Sequence, residues 1–119
     1  MLTPFLAAAL ALQPAPAPAS PEPAPLSQEN RALLRCAAAF ALVAQGQAAG
    51  DPAAKEWPDL SSRGREFFVR ALAQLMDATG ADRAGIAALA NAEAQALSAN
   101  AEVQKIMPTC LLMLEATKL

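Results

Sequence analysis

Two cysteines, Cys36 and Cys110, are the residues of this chain best suited to chemistry, and 74 positions separate them. That spacing is not the C-x-x-C of a dithiol redox centre. In an oxidising compartment it suits a structural disulfide; in a reducing one it leaves two core thiols. Cys110 also lies within M-x-x-C-x-x-M, from Met107 to Met113, a set of soft sulfur donors of the kind that holds Cu(I). On a helix the three positions spread over about 120°, methionine is an ordinary filler of cores, and a cysteine cannot be disulfide-bonded and metal-bound at once. The disulfide is therefore the expected role, and no metal or cofactor is expected.

Three charged residues, Arg63, Glu66 and Arg70, fall at spacings of three and four, which makes them neighbours on one helical face. Such a row is a solvated ladder, or, if the chain binds a partner, the first surface to test. Glu93 stands where the pattern around it calls for an apolar residue. A carboxylate in that position must snorkel or be paired, and Arg65 is the expected partner in a buried ion pair.

Absent residue types narrow the chemistry further. There is no histidine and no tyrosine, which removes the commonest general base and the commonest metal ligand. The carboxylates are scattered, and the glycine-containing GQAAGD, residues 46–51, lacks the lysine and hydroxyl of a phosphate loop. No catalytic residue is named, and the chain is not expected to be an enzyme. A net charge of -2, with no basic stripe interleaved with aromatics, gives no reason to expect nucleic-acid binding.

The elements that would position these residues are helical. Alanine is abundant and β-branched residues are few, and 119 residues suffice for one domain. Residues 1–12, MLTPFLAAALAL, have the short apolar run and small-residue ending of a secretory signal peptide. They lack a basic residue before it, and an uncleaved apolar N-terminus is the alternative. The run is too short to span a membrane. Residues 13–26 hold six prolines and form a stiff Pro/Ala-rich linker. Glu22 is the only charged residue before Ser27, so the body from 27 to 119 is nearly neutral.

Within 27–119 the spacing predicts about four helices. Ser27 caps the first, whose narrow apolar stripe is Leu33, Cys36, Phe40 and Val43, and Gly46 and Gly50 end it. Asp51 and Pro52 start a short turn, and Trp57 forms a lid over the core. A second long helix begins at Asp59 or Ser62 and closes at Gly80, with Gly64 on its inner face marking a close approach. Asp82 caps a third, with Ile86, Leu89, Ala90, Glu93 and Leu97 inward and an uncharged face of Ala88, Asn91, Ala92, Gln95 and Ala99 outward. Asn100 caps the last, which Pro108 kinks or splits. The fold class is all-α, a small bundle with a disulfide between its first and last helices.

The order LLRCAAAFALVA, WPDLSSRGREFFVRALAQLMDATG and IMPTCLLMLEA resembles small secreted two-cysteine helical proteins of alphaproteobacteria. The resemblance rests on RGREFFV and MPTC and spans most of residues 27–116. It implies the topology and a periplasmic or secreted location, and carries no activity. In outline the chain also resembles periplasmic acid-stress chaperones, which are small, helical and held by one disulfide, though no motif is shared. The expected function is that of a non-catalytic interaction module, with another envelope protein as its partner. A conditional chaperone, and a soft-metal carrier or small enzyme, are the alternatives. Intact mass of the exported protein should fall short of the 119-residue chain by the cleaved signal and rise by two hydrogens on reduction; an unchanged mass with reductant would show free thiols.

Overall fold

A computed structural model describes residues 26–119, so the signal-peptide reading of 1–12 and nearly all of the linker lie outside the described residues. The described chain is helical throughout, with elements α1 (Gln28–Ala49), α2 (Pro52–Lys55), α3 (Arg63–Thr79), α4 (Arg83–Ala99) and α5 (Val103–Ala116). Four are long, and α2 is a single turn.

The helix ends follow local chemistry. The Ser27 side chain accepts from the Asn30 N–H, that of Asp51 from Ala53, and that of Asp82 from Gly85, satisfying donors that have no intrahelical partner. Gly50 and Gly80 close α1 and α3 in left-handed conformations, φ 80° and 73°, which glycine adopts without steric cost. The Asp59 carboxylate accepts from the Ser61 N–H at 2.9 Å in the turn that leads into α3. That backbone hydrogen bond holds its pKa below the ordinary carboxylate value. The small stabilisation is present above the unfolded pKa and is lost as pH falls through the folded one.

Packing centres on α1, which touches all four other helices. Leu34, Cys36, Ala37, Ala38, Ala39, Phe40 and Val43 are all buried, so the expected narrow stripe is instead a helix buried nearly all round along its middle. Its 22 residues are long and apolar enough to cross a membrane by composition. In this fold the middle of the helix lies in the core. Helix α3 runs antiparallel to it: Phe40 meets Phe67 edge-on at 5.0 Å, while Leu34 and Leu75 share a second cluster with Ile86 and Ala90. The inward face of α3 is Gly64, Phe67, Ala71, Leu75 and Thr79; Phe68 and Leu72 are half-buried beside it.

Two glycines permit close contacts. A Cβ on Gly64 would lie 2.9 Å from Leu60 Cβ, so the turn before α3 folds back on the helix at a distance only glycine allows, while the gap to Phe40 Cβ on α1, 3.6 Å, is ordinary contact. Gly46 does not end α1 as expected. It lies within the helix, where a Cβ would meet Ala54 Cβ at 2.8 Å, and so it admits α2. One turn on from α1's buried middle, Gln47 fixes the connection to α3: its amide donates to the carbonyls of Ala54, Trp57 and Pro58, and its oxygen accepts from the Leu60 N–H. Trp57 packs half-buried against the main cluster, and its indole donates to Gln104 Oε1 at 2.8 Å, as a lid would.

Asn100 ends α4 instead of starting α5, its amide donating to the Ala96 carbonyl. Glu102 takes the N-cap position of α5 without a side-chain cap, because Arg35 holds its carboxylate. Pro108 does not split α5; it lies on the exposed side of a continuous helix. Replacing Gly64 with valine should lower stability by about 1–3 kcal/mol through overpacking, read from the urea midpoint. Removing both cysteines as C36A/C110A should lower it by roughly 4 kcal/mol.

Candidate functional site

The two cysteines meet as expected. Cys36 on α1 and Cys110 on α5 are disulfide-bonded, with Cα atoms 5.2 Å apart, and both are buried. Of the two methionines flanking Cys110, Met107 is fully buried in the core. Met113 is half-buried and opens onto a cleft of about 230 Å³ that Cys36 and Cys110 also line.

Glu93 finds a partner, but not the expected one. Arg35 Nε lies 3.3 Å from Glu93 Oε1 and its Nη2 lies 2.8 Å from Glu102 Oε2. One guanidinium thus joins α1 to α4 and to the start of α5. The Arg65–Glu93 pair does not form: Arg65 is exposed on α3, and α4 turns the Glu93 position toward α1. The Arg35–Glu93 contact is partly exposed and not a buried pair, which avoids the full desolvation penalty of an interior ion pair.

Arg63, Glu66 and Arg70 do not act as one group. Glu66 and Arg70 form an exposed i,i+4 pair at 3.0 Å, worth little in water. Arg63 turns away toward α5, with Nε donating to the Leu119 carbonyl and Nη2 to Glu115 Oε1 at 2.9 Å. It staples α3 to the end of α5.

The feature missed in the sequence is a groove of about 370 Å³ between the second half of α1 and the first half of α3. Its floor is Phe40, Ala41, Ala44, Gly64 and Phe68, and Arg65 stands on its rim. The groove exists because small side chains face each other there. Alanines at 41, 44 and 48 fall on one side of α1, opposite Gly64, and their spacing was the available signal. Arg65 makes no ion pair or side-chain hydrogen bond among the described residues, unlike Arg35, Arg63 and Arg70. Val69, one turn further along α3, is 60% exposed.

No protein-family model, curated protein or solved structure matches this chain. The geometry is therefore the source of a functional reading. Arg35→Gln should lower stability by about 1 kcal/mol, less at high salt, whereas Arg65→Gln should change it by no more than about 0.5 kcal/mol. Parallel urea titrations at two salt concentrations check both.

Proposed function

We infer that this chain is an exported, disulfide-stapled interaction module of the cell envelope, which acts by contact and not by catalysis. The resemblance to secreted two-cysteine helical proteins supports export, and the disulfide is consistent with it.

The observation that carries the reading is the α1–α3 groove. It has an apolar floor, a rim cation without an ion-pair partner among the described residues, and an exposed valine one turn along α3 from that cation. A guanidinium that no described residue pairs favours a carboxylate in plane with its donors, while the apolar floor favours one or two inserted side chains. The occupant is accordingly an apolar segment bearing an acidic residue, supplied by another envelope protein and laid along the groove as a helix or extended strand. Arg65 replaces Arg63, Glu66 and Arg70 as the residue at the centre of the binding surface. Those three are used up in pairing within the chain.

A photoreactive residue at Val69 in the expressing cell should form an adduct with one partner, and Arg65→Glu should abolish it by reversing the rim charge. Glu66→Lys, on the solvated ladder, should leave a strong adduct. Labelling that persists in the Arg65→Glu variant, or that forms equally from Ala92 on the exposed face of α4, would overturn this assignment of the surface.

A further inference from the structure

The cleft beside the disulfide collects soft donors. Cys36, Cys110 and Met113 all line it. Met113 follows Cys110 by three residues, so both side chains rise from one face of α5. Unlike Met107, which is fully buried, Met113 sits half-buried at the cleft wall. Arg35 and Lys105 also border the cleft. Arg35 is divided between Glu93 and Glu102, while Lys105 has no ion-pair partner among the described residues. Lys105 thus places a positive charge at the border of the cleft.

We propose that, once the disulfide is reduced, this cleft is a Cu(I) site formed by the Cys36 and Cys110 thiolates and the Met113 thioether. Two electrons and two protons from a dithiol cleave the S–S bond and give two thiols, with the dithiol becoming a disulfide. Cu(I) then binds both sulfurs and displaces the two protons, leaving a site of net charge -1 beside Lys105. The donor set selects the metal. Thiolate and thioether ligands suit Cu(I), whereas Zn(II) wants four ligands drawn from sulfur, imidazole and carboxylate, and no group of three or more His, Cys, Asp or Glu able to hold a metal exists among the described residues. The staple and the metal site are alternative states of the same pair of cysteines, and a Cα separation of 5.2 Å lets either form without moving α5 far from α1.

The test is an anaerobic titration of reduced, dithiol-free protein with Cu(I) against a chromophoric Cu(I) chelator. The expected result is one Cu(I) per chain, at least tenfold weaker binding in Met113→Leu, unchanged binding in Met107→Leu, and loss of binding in C36A/C110A. Trp57 emission follows the docking of α5, since its indole bonds to Gln104, and it should return toward the oxidised value as Cu(I) is added. Met113→Leu retains the disulfide, so its oxidised form shows whether the substitution itself disturbs the fold. Equal affinity in Met113→Leu, or in urea-unfolded protein, would mean that two free thiols alone bind the metal and would overturn the three-sulfur site. The cleft shares no residue with the α1–α3 groove, so either result leaves the partner-binding reading untouched.

Discussion

Burial of the middle of α1 on nearly every side sets the geometry of this protein. Ala37, Ala38 and Ala39 are at most 1% exposed, and their small side chains let the neighbouring helices come close to the α1 backbone. Larger residues at 36, 40 and 43 then decide where each neighbour rests: Cys36 bonds to α5, Phe40 meets Phe67 on α3, and Val43 joins the cluster that includes Ala54 of α2. The arrangement is a central helix with the others around it. It concentrates most of the core on one element, and a small domain of this kind gains much from a covalent cross-link to its last helix.

Helix α5 shows what such a design requires at the periphery. It is held at four levels by different chemistry. Arg35 binds Glu102 at its start, the Trp57 indole binds Gln104 in its first turn, Cys36 binds Cys110 in the middle, and Arg63 binds Glu115 and the Leu119 carbonyl at its end. Arginine suits two of these positions because one planar guanidinium presents several donors at fixed angles. Arg35 and Arg63, which look like surface decoration in the sequence, are therefore ties between helices. Arg65 has no such tie among the described residues, and its place at the groove makes that groove a candidate for an outside partner.

Features set by neighbours in sequence were legible. Asp51 followed by Pro52, Asp82 before an alanine-rich run, and Gly80 after Thr79 each carry a local rule about unsatisfied backbone groups or a left-handed turn, and each stands where the rule places it. Gly64 is buried on the inner face as its place in the helix suggested, but what crowds it is the Leu60 side chain of the preceding turn and not another backbone. The two cysteines were legible as a pair because the chain has no third. Asn100 misled because the same side chain can cap either end of a helix; here its amide is spent on the Ala96 carbonyl at the end of α4.

The amino-acid sequence by itself determined the helices, most of their ends, and the identity of the two residues that join first helix to last. Only the tertiary structure decided which faces meet. Glu93 pairs with Arg35 instead of Arg65, Arg63 leaves its row to hold α5, and the groove opens between alanines of α1 and Gly64 of α3. The reason is physical. Helix formation depends on residues three or four apart, whereas the partner of a charge or the floor of a groove depends on the order and rotation of helices around α1. That order is set by how side chains of different sizes fill the core together.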